Sequence, residues 1–178
     1  MNYSELALFY KSTFFNNDSE IGKYACNNSE LEKSVKGKTV ALVGNARSLS
    51  EKNYGEEIDS HDVVVRINRA PMVPSLTHGC KTTWLALATS MSKESYHNLH
   101  SDKLIWMSHK RKRIRPWMVG ESFYLCPANI YNYTKSLTGS QPSTGFMIFY
   151  WLCRMSFQSL NLYGFDFFKS LSLSGSRT

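Results

Sequence analysis

The stretch TVALVGNARSLSEKNYGEEIDSHDVVVRINRAP, from Thr39 to Pro71, decides the fold. An apolar strand, Val40 to Val43, ends on Gly44-Asn45. A polar loop over Gly44 to Ser50 follows, then a short helix around Glu56-Glu57-Ile58. A second strand, Val63 to Ile67, ends on Asn68. Its β-branched run suits a strand covered on both faces, as in a parallel sheet flanked by helices. Polar residues at the ends of two parallel strands mark a ligand edge. In such sheets the binding crevice lies beyond the carboxyl ends of the strands.

Outward from this stretch the alternation continues. Pro71 and Pro74 mark a loop, and Thr82 to Ala88 reads as a third strand. Lys93 to His100 fits a helix, and Leu104 to Met107 and Phe123 to Cys126 fit short buried strands. Pro127 to Leu137 reads as a helix with a proline start, followed by a turn-rich loop from Thr138 to Pro142. Thr144 to Ser156 is a strongly apolar helix, and Leu160 to Tyr163 is a last strand ending on Gly164-Phe165-Asp166. Strands alternating with helices specify α/β with a mostly parallel sheet. Residues 1–37 are polar and are expected as a helical or partly ordered lead-in, with residues 38–178 as the ligand-binding domain. The Ser-rich stretch Lys169 to Thr178 has no apolar pattern. A doubly wound domain would continue with further helices, so a truncated chain is expected.

The 178 residues are 42% hydrophobic, enough for one globular domain with a core. A net charge of +7 suggests an anionic partner, such as nucleotide, phosphate-rich polymer or membrane surface, or else serves solubility alone. Cys26, Cys80, Cys126 and Cys153 show no Cys-x-x-Cys spacing and read as scattered thiols of a reducing compartment, not zinc ligands. Met1 to Phe15 lacks the pattern of a signal peptide. The longest apolar run, Gly145 to Cys153, is too short to span a bilayer.

Three segments can carry chemistry. Gly44 permits a tight turn and a close backbone approach, and Asn45 brings donors and an acceptor without charge. Asn68 ends the neighbouring strand, so both amides could reach one phosphate or base. Either could equally serve an ordinary turn. Gln141-Pro142-Ser143-Thr144-Gly145 opens the apolar helix. Ser143 or Thr144 can cap it, and free N–H groups of a first turn bind phosphate well.

Together these segments resemble the sialyltransferases of glycosyltransferase family 29. The family's large motif stands here as Gly44-Asn45, then Gly55-Glu56-Glu57-Ile58-Asp59-Ser60-His61-Asp62, Val63 to Val65, Arg66-Ile67-Asn68 and Ala70-Pro71. A Gly-x-Lys-Thr-Thr segment follows as Gly79-Cys80-Lys81-Thr82-Thr83. The small motif stands as Pro142 to Gly145 and Leu162 to Phe165. The likeness covers roughly residues 39 to 166 and is densest at its two ends. It implies a Rossmann-like, GT-A-like sheet, incomplete at the C-terminus, that binds a CMP-sugar donor. By position, Asn45 and Asn68 would contact the phosphate and ribose region. Ser143, Thr144 and Gly145 would line the phosphate or cytidine pocket, with Gly164 and Phe165 beside the cytidine. The donor would be CMP-sialic acid or CMP-Kdo, and the acceptor a glycan or lipopolysaccharide hydroxyl. Transfer would invert the anomeric centre. No cofactor or metal is expected, since CMP carries a singly linked phosphate and no Asp-x-Asp pair ends a strand.

Three departures shape the expectation. The positions matching the family's disulfide are Val40 and Phe157, so an apolar contact would replace the bridge. The family's membrane anchor and stem have no counterpart, which fits a bacterial-type, cytoplasmic protein, with peripheral association at the inner membrane as the remaining option. The histidine held to be the general base lies in a later motif, so no catalytic residue is named. Of the five histidines, His61, His78, His97, His100 and His109, only His61 falls in a motif, where it is expected to hold the loop. The run Lys110-Arg111-Lys112-Arg113-Ile114-Arg115 is either a solvated loop or an anion-attracting patch. Tyr131, Tyr133, Trp117 and Trp151 could stack on a sugar or base, or serve the core. Two rival functions follow: a nucleotide-binding remnant without catalysis, and nucleic-acid binding through the basic run, the latter not expected because it leaves the paired motifs unexplained.

Overall fold

A computed structural model describes residues 1–70 and 74–165 of the chain. Pro71, Asp166 and the Ser-rich stretch 169–178 fall outside the described residues. Six strands form one sheet: β1 (Thr39–Val43), β2 (Val63–Ile67), β3 (Trp84–Leu87), β4 (Lys103–Trp106), β5 (Phe123–Leu125) and β6 (Ser159–Tyr163). Their order is β5-β4-β3-β2-β1-β6, and all five pairings are parallel. The chain lays β2 to β5 outward on one side of β1, then returns to place β6 on the other side. The direction of winding therefore reverses at the β1–β6 boundary, which is where ligands bind in open α/β sheets.

Strand periodicity builds the core. Val40 and Leu42 of β1, with Val63, Val65 and Ile67 of β2, face one layer. That layer holds helix α8 (Thr144–Leu152) through Ile148, Trp151 and Leu152, and α3 (Asn28–Ser34) through Leu31. Ala41, Val43 and Val64 face the other side, against Leu49 and Ile58 of the β1–β2 connection. The register between β1 and β2 is pinned at its start. Asp62 accepts hydrogen bonds from the Thr39 amide (2.8 Å) and hydroxyl (2.9 Å), which hold its carboxyl below the usual carboxylate range.

The lead-in is ordered. It forms α1 (Tyr3–Phe14), α2 (Asp18–Gly22) and α3, and α4 (Gly55–Asp59), α5 (Ser75–His78), α6 (Lys93–His97) and α7 (Ala128–Thr138) follow along the chain before α8. Asn2 and Glu5 close a capping box on α1. Phe9 and Ile21 sink into a cluster with Leu85, Leu104, Trp106 and Phe123. The tie that holds these helices down is Arg111. Its guanidinium makes a two-pronged bond to Asp18 (2.7 and 2.8 Å) and donates to the carbonyls of Ser108 and Cys126. Its backbone amide donates to Asn16 Oδ1 at 2.9 Å.

The basic run is thus neither a uniform solvated loop nor a uniform patch. Arg111 is buried, and Lys112, Arg113 and Arg115 are exposed. One further expectation is corrected. The apolar helix stops at Leu152, not Ser156, because the chain must turn through Cys153–Phe157 to enter β6 beside β1. Of the aromatics that could stack on a sugar or serve the core, Trp151 is a core residue and the half-buried Trp117 packs on Tyr96, so both serve the core. Phe157 packs against the cluster that contains Val40, and all four cysteines are free thiols.

Candidate nucleotide-binding crevice

Both halves of the sequence pattern meet at the carboxyl edge of β1, β2 and β6. Gly44 follows β1, and Gly164 follows β6. A Cβ on Gly44 would stand 2.4 Å from the Gly164 carbonyl oxygen, so two backbones touch at this point. Gly164 has φ +67°, a left-handed conformation that suits glycine. The Gly44 amide donates to the Tyr163 carbonyl at 2.7 Å, and the Ala46 amide to that of Gly164 at 3.1 Å. Phe165 lies between Gly44 and Gly145: a Cβ on either would meet its ring at 3.1 and 2.9 Å respectively. Gly145 also sits over Ile67, so the first turn of α8 lies directly above the ends of β2 and β6.

The two asparagines join this edge in complementary ways. Asn45 Nδ2 donates to the Ile67 carbonyl at 3.3 Å. Asn68 takes a left-handed backbone (φ 55°), and its Oδ1 accepts from the Ala88 amide at 2.9 Å. These partners orient both amide groups, since a carbonyl needs a donor and an N–H an acceptor. Among the described residues Asn45 Oδ1 and Asn68 Nδ2 have no partner, which leaves one amide oxygen and one amide N–H group at this edge open to a ligand. Ser143 caps α8 by accepting from the Phe146 amide at 3.1 Å, which leaves the Thr144 and Gly145 amides at the open first turn. The seven candidate residues (Asn45, Asn68, Ser143, Thr144, Gly145, Gly164 and Phe165) thus stand at the carboxyl ends of β1, β2 and β6 and at the first turn of α8 above them.

The remaining large-motif residues build the frame behind it. Asp59 accepts from the Cys80 and Lys81 amides at 2.7 and 2.9 Å. Arg66 is buried; it donates to the carbonyls of His78 (2.7 Å) and Lys81 (2.9 Å), and burial lowers its pKa to about 10. His61 is also buried. Its Nδ1 lies 2.9 Å from the Glu57 carbonyl, which can only accept, so Nδ1 carries the proton. Its Nε2 then accepts from Asn161 Nδ2 at 3.0 Å. Both ring nitrogens are occupied, as expected of a residue that holds the loop.

The other histidines separate by position. His97 pairs with Glu121 on the surface, and His100 occupies a left-handed turn. His109 follows β4 at the same carboxyl edge as the crevice, stacked on Tyr131 with ring centroids 4.2 Å apart. Burial, then the charges of Lys110, Arg111, Lys135 and Arg113, keep it neutral at lower pH than usual. Sequence reasoning passed over this pair. The available signal was its place two residues past an apolar strand end, which is where Asn45 also stands.

His78 supplies a pH prediction. It is buried with Nδ1 2.5 Å from the Thr77 hydroxyl and with Nε2 unbonded among the described residues. Burial depresses its pKa, Arg66 beside it adds to the effect, and a bond involving Pro74 opposes it. A histidine depressed on folding binds fewer protons in the native state, so stability is full above its unfolded value of about 6.5 and falls as pH drops below it. Melting temperatures recorded from pH 7.5 to 5 should decline, and His78→Gln should flatten the decline. A variant with the same pH slope as the parent would show that another group is responsible.

The fold is an open parallel α/β sheet with polar strand ends and a helix N-terminus at one carboxyl edge. Glycosyltransferase family 29 (sialyltransferase) matches residues 11–136, and the chain belongs to this family. It is 57% identical over 42 residues to the human CMP-N-acetylneuraminate-beta-galactosamide-alpha-2,3-sialyltransferase 1, covering 23% of this chain and 12% of that protein. The Gallus gallus protein of the same name is 42% identical over 60 residues, covering 33% and 18%. The matched parts thus span less than a fifth of either relative. The fold is similar to a crystal structure of a mammalian sialyltransferase in complex with Gal-beta-1-3GalNAc-ortho-nitrophenol, with TM-score 0.60 and 18% identity, covering 99% of this chain and 75% of that one.

Proposed function

We propose that the chain binds a CMP-sugar donor, CMP-sialic acid or CMP-Kdo, for inverting transfer to a hydroxyl of a glycan or lipopolysaccharide acceptor. The observation that carries this reading is the meeting of both motifs at the β1–β6 reversal, where Gly44, Gly145 and Gly164 allow close approach. In this arrangement the Asn68 amide and the Thr144 and Gly145 N–H groups stabilise the phosphate as CMP departs. The Asn45 carbonyl oxygen receives a ribose hydroxyl, and Phe165 packs beside the cytosine. A singly linked phosphate leaves as a monoester, so these donors suffice without a divalent metal. Four free thiols suit a reducing setting, and with it a bacterial-type, cytoplasmic protein.

Calorimetric titration tests the donor side. CMP should bind in chelator as well as in magnesium, and more tightly than UMP. Asn68→Ala should weaken CMP by roughly 1.5–3 kcal/mol, the range for a hydrogen bond to a charged group. His61→Gln should weaken it less, because both ring nitrogens of His61 bond inside the protein. Obligatory magnesium, equal affinity for UMP, or equal losses from the two variants would each count against the assignment.

A second reading, nucleotide binding without transfer, is favoured by the chemistry of the seven crevice residues. They are amides, hydroxyls, glycines and an arene, and none is a general base, which transfer requires within about 3 Å of the acceptor hydroxyl. Incubation with CMP-sialic acid and a glycan panel separates the two. Acceptor-dependent CMP release would establish transfer, and donor binding without release would leave the binding role.

A further inference from the structure

Helix α1 buries Phe9, Ser12 and Thr13 against the domain. Its other face carries Tyr3, Ala7, Tyr10 and Phe14, spaced i, i+4, i+7 and i+11, and so aligned in one stripe. Phe15 continues it, with its ring edge-on to Phe14 at 5.2 Å. Tyr3 is 93%, Phe14 67% and Phe15 69% exposed, although a soluble surface seldom clusters large aromatics without use. The stripe is bordered by cations. Tyr10, Phe14 and Phe15 line a groove together with Lys11 and Lys112, and Arg113 and Arg115 lie exposed further along.

We propose that the aromatic face of α1, with Lys11 and Lys112, docks the protein on a bilayer surface bearing anionic headgroups. Charge complementarity selects this occupant. Two copies meeting through the same face would bring the flanking lysines against each other, which disfavours a dimer. Tyrosine and phenylalanine beside lysine suit the boundary between acyl chains and headgroups: rings enter the apolar layer and charged ends stay among phosphates. The docking geometry also has a consequence. The bond from the Arg111 amide to Asn16 Oδ1 fastens the end of α1 to the segment leaving β4, at the carboxyl edge of the sheet. The proposed donor site lies on that edge, so docking would bring it close to acceptors held at the surface. This last point rests on the proposed donor site; the docking itself does not.

Co-sedimentation of the 178-residue chain with vesicles tests the proposal. Binding should be found with phosphatidylcholine–phosphatidylserine mixtures, be nearly absent with phosphatidylcholine alone, and decline with added salt. Lys11→Gln and Lys112→Gln should each weaken it about five-fold. Phe14→Ser with Phe15→Ser should weaken it at least about ten-fold, with an unchanged melting curve because both side chains are exposed. If that double variant fails to fold, the lysine variants and the salt series still decide the question. Equal sedimentation with neutral and anionic vesicles, no sedimentation with either, or indifference to these substitutions would overturn it. So would a concentration-dependent dimer that Phe14→Ser abolishes, which would assign the face to a second copy. CMP affinity should be unaffected by all four substitutions, so failure here and failure of the donor assignment are read separately.

Discussion

Arg66→Ala is expected to cost about 4 kcal/mol of folding stability, the largest single effect we foresee. The guanidinium is buried in β2 and serves two carbonyls, those of His78 and Lys81, with Asp59 at 3.9 Å. Truncation leaves both carbonyls without their donor, at roughly 1–3 kcal/mol for each buried group left unmade, and removes the packing of the stem. The ion pair adds little, because its distance is long and the Asp59 side chain is 34% exposed. Arg66→Lys should recover only part of the loss, since a single ammonium on a flexible stem does not reproduce the planar fork. Urea unfolding of the three proteins provides the test. An alanine variant within 1 kcal/mol of the parent, roughly the range of a neutral surface change, would show that the fork is not structural. Because Arg66 lies beside Asn68, CMP affinity should fall with stability in the same variant.

Gly44→Ala is expected to cost about 3 kcal/mol, the upper end of the range for overpacking. The new Cβ would meet the Gly164 carbonyl oxygen at 2.4 Å, and both partners are backbone at the ends of paired strands. Neither side can yield by a rotamer change. Gly145→Ala offers the contrast: its Cβ meets the Phe165 ring and the Ile67 methyl, which can shift. It should be nearly neutral for stability yet weaken CMP, since Phe165 would be displaced within the crevice. Gly22→Ala, with nothing within 4 Å, is the control and should leave both quantities unchanged. A Gly44→Ala protein as stable as the Gly22→Ala control would mean that β1 and β6 do not approach as described.

Much of this was legible because the relevant signals are local. The β-branched run Val63 to Ile67 reads as a doubly covered strand, and its bounds coincide with β2. Gly44-Asn45 and Asn68 stand at strand ends in the sequence and in the fold alike. Ser143 caps the last helix as its position before an apolar run implies. The end of that helix is not legible, because apolar character continues past Leu152 whereas the return to β1 requires a turn.

By itself, the sequence determined the α/β class, the parallel strands and the family, since these follow from patterns spanning a few residues and from two long motifs. The tertiary structure alone decided what each polar motif residue bonds to. Asp59, His61 and Arg66 bond to groups 4 to 100 positions away along the chain, and no periodicity reports such a partner. The same holds for Arg111, whose charge reads as surface in a basic run. Its partner Asp18 is 93 positions away, and only folding brings the two together. A buried polar side chain is placed by the partners that satisfy it, and those are set by the path of the whole chain.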